Sequence, residues 1–315
     1  MNNKTALICG IRGQDGSYLA ECLLNKGYEV WGTSRDIDSG NFNNLNFLRV
    51  QNKVRLISMN TTDFISVFRA INEISPDEIY NLSGQSSVGL SFDQPKETIE
   101  SIVLGMLNIL EVVRENKKMV RIYHAGSSEC FGNTKNKPAN ENTPFEPLSP
   151  YAIAKTTASM LVKNYRSAYG MHVSNGILFN HESVLRPERF VTQKILHTAK
   201  RIYQGSGERL SLGRIDIARD WGWAPEYVEA MWIMLQQDKS DDYVIATGVT
   251  TTLEDYVSQV FDFYNLDWKD YVSHSKALVR PLDIQNSHAD PSKAEKILGW
   301  SASVKMPDLI EKLIQ

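Results

Sequence analysis

Short apolar runs alternate with amphipathic stretches through the first half of this chain, and the alternation predicts a layered α/β architecture. Thr5-Ala6-Leu7-Ile8-Cys9 is apolar throughout and bounded by glycine, the pattern of a strand buried on both faces. A glycine-punctuated loop, Gly10 to Gly16, follows at once. An amphipathic stretch from Tyr18 to Lys26 then reads as a helix that stops at Gly27. Tyr28 to Gly32 reads as a second strand and Val54 to Met59 as a third. The Ser-, Gly- and Asn-rich segment Ser39 to Asn46 between them reads as a loop. Asn60 and Asp63 introduce a helix over Phe64–Ile74, and Pro76 to Leu82 forms a fourth strand. An apolar-periodic helix runs from Ile99 to Glu115, a strand from Val120 to Ala125, a helix from about Tyr151 to Tyr169 with Gly170 as its stop, and a strand from Val173 to Phe179. Repeated strand–helix alternation of this kind gives a doubly wound parallel sheet.

After Phe179 the alternation fades, and basic and polar groups punctuate a mixed pattern: Arg209, Arg214, Arg219-Asp220-Trp221 and Arg280-Pro281-Leu282-Asp283. We read residues 1–175 as a Rossmann-like dinucleotide-binding domain. Residues 176–315 read as a smaller mixed α/β substrate-binding domain, partly interleaved with the first.

Composition narrows the function classes. The chain has 315 residues, 42% of them hydrophobic and 23% charged, as expected of a soluble globular protein with a large core. A net charge of −3 provides no general basic field for nucleic acid, so an anionic ligand must be held by local groups. No apolar run is long enough to span a bilayer, and Met1-Asn2-Asn3-Lys4 leads into the first strand without an apolar leader. Cys9, Cys22 and Cys130 match neither a metal spacing nor a disulfide framework, and Cys9 and Cys22 read as small buried hydrophobes. The expectation is a cytoplasmic, reduced protein without a metal.

Two stretches carry chemistry. The first is the loop Gly10-Ile11-Arg12-Gly13-Gln14-Asp15-Gly16, placed between a strand and a helix as dinucleotide binding requires. Its glycines let the backbone approach a pyrophosphate, and the helix N-terminus supplies amide donors. Beyond the second strand, Arg35 joins Arg12 as a candidate for the extra phosphate of NADP, while Asp36 favours NAD; we expect NADP rather than NAD. The second stretch is Ser127-Ser128-Glu129 together with Tyr151 and Lys155. A Tyr and a Lys four apart share a helix face. An ammonium beside a phenol lowers the phenol's pKa, so the pair would take a proton from an alcohol near neutral pH. Ser127 would hold the same hydroxyl. Glu129 adds a second base that simple hydride transfer does not need. The proline-rich segment Asn142 to Pro150 holds the chain extended before Tyr151 and fixes the angle at which that residue enters.

These residues resemble an extended short-chain dehydrogenase/reductase, and more closely the GDP-mannose 4,6-dehydratases. The resemblance runs nearly end to end. It rests on the glycine loop through Leu19, Tyr80-Asn81-Leu82, Gln85-Ser86, Ser127-Ser128-Glu129, Ser149-Pro150-Tyr151, Asn175 to Ser183, Arg219-Asp220-Trp221-Gly222 and Tyr227 to Trp232. It implies that Ser127, Glu129, Tyr151 and Lys155 are catalytic, with Ser127 where the family has Thr. It implies cofactor contacts from Gly10, Arg12, Gly13, Gln14, Asp15, Gly16, Arg35, Asn60, Thr61, Ser83, Gln85, Ser86, His181 and Arg186, besides Tyr151 and Lys155. It implies nucleotide-sugar contacts from Ser87, Ser127, Asn180, Arg219, Arg280 and Asp283. The family usually has Thr at Arg12, more arginines between Arg35 and Asn46, an acid at Asn60 and Glu at Asp283. The resemblance also implies a GDP-sugar as substrate and a homodimer or homotetramer that pairs through helices including that of Tyr151. The expected reaction is transient oxidation at sugar carbon 4, loss of water across carbons 5 and 6, and return of the hydride. The rival expectation is a carbon-4 oxidoreductase or epimerase of the same family, which leaves Glu129 without a task. For Arg219 the alternative is a surface ion pair with Asp220.

Overall fold

A computed structural model describes residues 4–38, 41–116, 118–135 and 137–314. Met1 to Asn3 and, within the expected loop, Ser39 and Gly40 lie outside the described residues. Seven parallel strands form the main sheet. Its first half runs β1 (Thr5–Cys9), α1 (Gln14–Asn25), β2 (Glu29–Ser34), α2 (Asn43–Phe47), β3 (Arg55–Ser58), α3 (Phe64–Ile74), β4 (Glu78–Asn81), α4 (Val88–Asp93), α5 (Pro95–Ile99), α6 (Gly105–Asn116) and β5 (Arg121–Ala125). Then follow α7 (Pro150–Tyr169), β6 (Val173–Leu178), β7 (Asn180–Glu182), α8 (Val191–Tyr203), β8 (Leu210–Leu212), β9 (Ala218–Trp223) and α9 (Ala224–Gln236). The chain ends with β10 (Asp242–Ile245), β11 (Thr250–Thr252), α10 (Leu253–Phe263), α11 (Trp268–Tyr271), β12 (Val272–His274) and α12 (Asp308–Ile314).

The sheet order is β10-β6-β5-β4-β1-β2-β3, so strand order reverses between β1 and β4. Ligands bind at such a reversal, outside the carboxyl ends of the strands. β1 is flanked on both sides, with Ile8 opposite Gly32 in β2 and Tyr80 in β4, which explains its unbroken apolar run. Helices cover both faces. α1 and α9 seal one apolar core around Leu19, Leu23, Met231 and Met234; α3, α6 and α7 seal the other around Val67, Met106, Ile109 and Val162. β10 is contributed by the second half of the chain, because Asp242–Ile245 pairs in register with Asn175–Leu178. A separate core under α8, α10 and α12 holds Leu196, Tyr256, Phe261 and Leu309, beside the three-stranded sheet β11-β9-β7 and the pair β12-β8.

Several local expectations shift. Helix α1 begins at Gln14 rather than Tyr18, since the last glycine of the loop already lies within its first turn. Asn43–Phe47 is helical although its composition reads as loop, because Phe42 and Leu45 are buried and pull that segment onto the core. The helix expected over Ile99–Glu115 starts four residues earlier, with Pro95 at its first turn, and carries a π-helical turn over Glu100–Leu104. Cys9 is buried as expected, but Cys22 is only partly so and its thiol donates to Glu229 Oε2 at 3.2 Å. Helix α7 follows its expected course. Ser149 is extended and its hydroxyl accepts from Ala152 N at 3.1 Å, Pro150 occupies the first turn, and Gly170 closes the helix in the left-handed region. Among the described residues no helix is long and apolar enough to cross a membrane.

Candidate active site

The glycine loop is shaped by sterics that other residues would violate. Gly10 has φ +90°, and a Cβ there would stand 3.0 Å from the Leu82 carbonyl group; one on Gly16 would stand 2.4 Å from the Gly10 oxygen. Gly13 is the N-cap of α1 and brings no side chain to occupy the first-turn amides, which are left at the carboxyl edge of the sheet. That cradle fits the pyrophosphate of a dinucleotide.

The side chains of this loop turn inward. Gln14 Nε2 donates to Asp15 Oδ1 at 3.0 Å and to the His181 carbonyl at 3.2 Å, while Ser183 Oγ donates to Gln14 Oε1 at 2.8 Å. His181 Nε2 meets Asp15 Oδ2 at 2.9 Å, and its Nδ1 meets the Phe179 carbonyl at 2.7 Å. The loop after β1 is thereby fastened to β7. Gln14 presents its backbone amide, not its side chain, to the edge. At the far end of β2, Arg12 Nε donates to the Asn41 carbonyl at 2.9 Å, its guanidinium lies 5.6 Å from the Phe42 ring centre, and Nη1 reaches Ser34 Oγ at 3.5 Å. Arg35 is exposed, with Glu97 3.8 Å away.

Other candidate cofactor residues sit at the same edge with their side chains engaged locally. Asn60 Oδ1 accepts from Thr62 N and Oγ1 at 3.2 and 3.0 Å. The Thr61 carbonyl accepts from Asn108 at 2.9 Å. Ser83 Oγ donates to Asn81 Oδ1 at 2.6 Å. The Gln85 amide reaches Thr98 Oγ1 at 3.1 Å and exchanges hydrogen bonds with the backbone of Ser87. Short polar side chains thus brace the loop they stand on.

One cleft of about 680 Å³ collects most of the remaining candidates: Asp15, Ser86, Ser87, Ser127, Glu129, Tyr151, Lys155, Asn180, His181, Arg186, Arg219, Arg280 and Asp283 all line it. β5 delivers Ser127, whose Oγ accepts from Glu129 N at 3.3 Å. Lys155 Nζ donates to the Ala125 carbonyl at 2.8 Å and lies 5.8 Å from the Tyr151 ring centre. The pairing is as expected but the electrostatics differ. Burial pushes the Tyr151 phenol above its ordinary value, with the Ser127 hydroxyl and the Arg186 charge pulling back only in part. Burial pushes Lys155 down to about 8. Desolvation is the largest cause of both shifts. Glu129 is likewise pushed up by burial, against the pull of Arg219 and Arg280.

The opposite wall is cationic. Arg219 is buried, with 4% of its surface exposed, and Nη2 donates to Asp283 Oδ1 at 3.2 Å; Arg280 Nη1 reaches the same oxygen at 3.3 Å. Asp220 does not pair with Arg219. Neighbours on a strand point to opposite faces, and Asp220 accepts from Thr247 N and Oγ1 at 3.0 and 2.9 Å. Arg214, one of the basic groups noted in the sequence, lines the cleft as well, as do Arg189 and Lys194, which were not singled out although Arg189 follows Arg186 by three residues. A tyrosine–lysine pair, a separate carboxylic acid and an arginine-lined wall in one cleft suit a phosphorylated sugar.

Comparison with known proteins agrees. The family model described as GDP-mannose 4,6 dehydratase matches residues 7–313. The chain belongs to the GDP-mannose 4,6-dehydratase family. GDP-mannose 4,6 dehydratase 2 of Arabidopsis thaliana is 46% identical over 321 residues, covering 99% of this chain and 86% of the relative. The GDP-mannose 4,6-dehydratase of Sinorhizobium fredii is 40% identical over 338 residues, covering 100% and 96%. Two solved structures share the fold. UDP-glucose 4-epimerase of Thermus thermophilus in complex with NAD has TM-score 0.86 at 24% identity, covering 98% of this chain and 97% of that one. The dTDP-glucose 4,6-dehydratase DesIV of Streptomyces venezuelae with bound NAD has TM-score 0.88 at 21% identity, covering 98% and 95%. In this chain β7 and the Ser183 that follows it fasten the glycine loop, and Arg219 is buried in the cleft wall.

Proposed function

We propose that this chain is a lyase that converts GDP-mannose to the GDP-4-keto-6-deoxy sugar. The observation that carries the reading is that Glu129 shares one cleft with Ser127, Tyr151 and Lys155, facing the buried Arg219. The first-turn amides of α1 would hold the pyrophosphate of a nicotinamide dinucleotide. When bound, that cofactor supplies the hydride acceptor at the start of the cycle and the hydride donor at its end.

The residues divide the remaining work. Ser127 holds the hydroxyl on sugar carbon 4, and Tyr151 takes its proton. Burial of Tyr151 opposes its ionisation, and Lys155 supplies the cation that favours the phenolate. A carbon-4 ketone acidifies the hydrogen on carbon 5. Glu129 removes that proton, and water leaves from carbon 6. Arg219 and Arg280 bind the diphosphate, and Asp283 holds both.

Finer points belong to the same reading. Arg12 and Arg35 favour NADP over NAD, because Arg12 reaches Ser34 at the carboxyl end of β2 and Arg35 follows that strand, where two guanidinium groups would suit an extra phosphate. Residues 1–175 serve mainly the cofactor and 176–315 mainly the nucleotide-sugar. Ile153 and Met160, exposed seven residues apart on α7, and exposed Ile99 and Leu104 on the neighbouring helices support a homodimer through these helices. Cytoplasmic residence suits three free cysteines. Incubation with GDP-mannose tests the function: the product is lighter by one water, with no net consumption of added cofactor. Recovery of unchanged sugar overturns it.

A further inference from the structure

Arg12 is clasped by the segment that opens α2. Its Nε donates to the Asn41 carbonyl at 2.9 Å, and its guanidinium carbon lies 5.6 Å from the centre of the Phe42 ring. In return, Asn44 Nδ2 donates to the Arg12 carbonyl at 3.1 Å. Asn43 N donates to Asn41 Oδ1 at 2.9 Å, which fixes the turn that presents the Asn41 carbonyl. The segment is itself anchored, since Phe42 and Leu45 are buried in the same core as Leu19 and Leu23 of α1. An arginine bonded to a carbonyl and set against a ring has lost much of its rotamer freedom before any ligand arrives.

The clasp brings Arg12 to one place. Nη1 reaches the hydroxyl of Ser34, the last residue of β2, at 3.5 Å. A carboxylate near the end of that strand would hold ribose hydroxyls, whereas an arginine there suits a phosphate. Ser34 is neutral, and Asp36 Oδ1 accepts from Asp38 N at 2.9 Å within its own turn. The carbonyl, the ring and the hydroxyl around Arg12 are all uncharged, and these contacts leave Nη2 out. Arg35 differs, because its side chain is 79% exposed and its charge partner Glu97 stands 3.8 Å away. We propose that Phe42 and Asn44 hold Arg12 as the reader of the extra phosphate on the adenosine ribose of NADP. Cofactor choice then depends on Arg12 and these two positioning residues far more than on Arg35. The inference rests on the reading that NADP is the cofactor, and deepens it by naming the side chains that aim the cation.

A matched pair of probes isolates that phosphate. ADP-ribose and its 2′-phospho derivative share the adenosine and the pyrophosphate and differ only at the ribose, so the ratio of their affinities is insensitive to damage in the glycine cradle. Calorimetric titration of the full chain should show the phosphorylated probe binding wild type about 10–100-fold more tightly. Arg12→Leu should remove nearly all of that preference. Asn44→Ala and Phe42→Leu keep the arginine and an apolar core under α2. Each should lower the preference by about 3–10-fold while ADP-ribose binds as before. Arg35→Ser removes an exposed charge and should change it by less than about 3-fold. Equal affinity of wild type for the two probes overturns the NADP reading and the clasp together. A wild-type preference that survives both Asn44→Ala and Phe42→Leu overturns the clasp alone and leaves the NADP reading standing. So does a preference lost in Arg35→Ser and kept in Arg12→Leu. An equal loss of both probes in the α2 variants assigns these residues to the cradle and likewise overturns the clasp.

Discussion

His181 Nε2 lies 2.9 Å from Asp15 Oδ2, joining the first turn of α1 to strand β7 across 166 residues of sequence. Burial disfavours charge on both partners, yet the attraction between them wins. Asp15 is held at about 2 and His181 is raised above its ordinary value. A depressed carboxylate contributes stability above 3.8 that is lost as pH falls toward 2; a raised histidine contributes stability below 6.5 that is lost as pH climbs through its folded value. The pair is therefore fully effective between about pH 4 and 6.5. Asp15→Asn should lower unfolding stability by about 1–3 kcal/mol at pH 5.5 and by much less at pH 9. Denaturant melts of both proteins at the two pH values check this, and an equal loss at each would show that the ion pair is not the cause.

Glu129→Gln keeps the size of the side chain and removes the base. We expect turnover to fall by about 10²–10⁴-fold. The reaction should stop after the first oxidation, with the near-ultraviolet absorbance of reduced nicotinamide accumulating on mixing with GDP-mannose. Because burial raises the Glu129 carboxyl, wild-type elimination should weaken on the acid side at a higher pH than an ordinary carboxylate would impose. A variant that turns over without such accumulation would assign the proton on carbon 5 to another group.

The wall of the cleft makes a graded prediction about stability. Asp283 is the carboxylate that Arg219 and Arg280 share, but Arg219 keeps 5% of its side chain exposed and Arg280 keeps 36%. Asp283→Ala strands a buried guanidinium and should cost about 3–5 kcal/mol. Arg280→Ala removes a half-exposed partner and should cost less than about 1 kcal/mol. Both should raise the KM for GDP-mannose. Thermal unfolding of the two variants side by side decides the order, and a larger loss for Arg280→Ala would contradict the burial argument.

The residues that were legible from sequence are those whose role follows from local pattern. Ala6-Leu7-Ile8-Cys9 could only be an inner strand, and Ser149-Pro150-Tyr151 fixes a helix start by its own capping chemistry. The spacing of Tyr151 and Lys155, the extra acid at 129 and the arginine at 219 carried enough chemistry to point to one cleft. Tertiary packing decided what the pattern could not show. Asparagine-rich α2 is helical only because Phe42 and Leu45 find a core. Gln85 and Asn60 could face a ligand or their own backbone, and that choice is made by loop geometry. The direction of the Tyr151 shift is not legible in the sequence, where the neighbouring lysine is visible and the burial of both groups is not.

Asp220 makes the last prediction, since it holds a charge where charge is costly. It is fully buried on β9, its Oδ1 takes both Thr247 bonds, and burial raises its carboxyl from 3.8 to about 6. A raised carboxyl means that the folded protein binds its proton more tightly than the unfolded chain. Stability from this group is therefore present below pH 3.8 and declines as pH rises to about 6, by roughly 3 kcal/mol for a shift of this size. Asp220→Asn keeps an oxygen for Thr247 and removes the buried charge. Among the described residues Oδ2 of Asp220 and the hydroxyl of Tyr227 are both buried without partners, so the new amide has an acceptor to seek in a phenol that already feels the Asp220 charge. The variant should unfold at a higher temperature than wild type at pH 7.5, and the advantage should vanish near pH 4. If Asp220→Asn is less stable at both pH values, the carboxylate contributes more through its hydrogen bonds than its burial takes away.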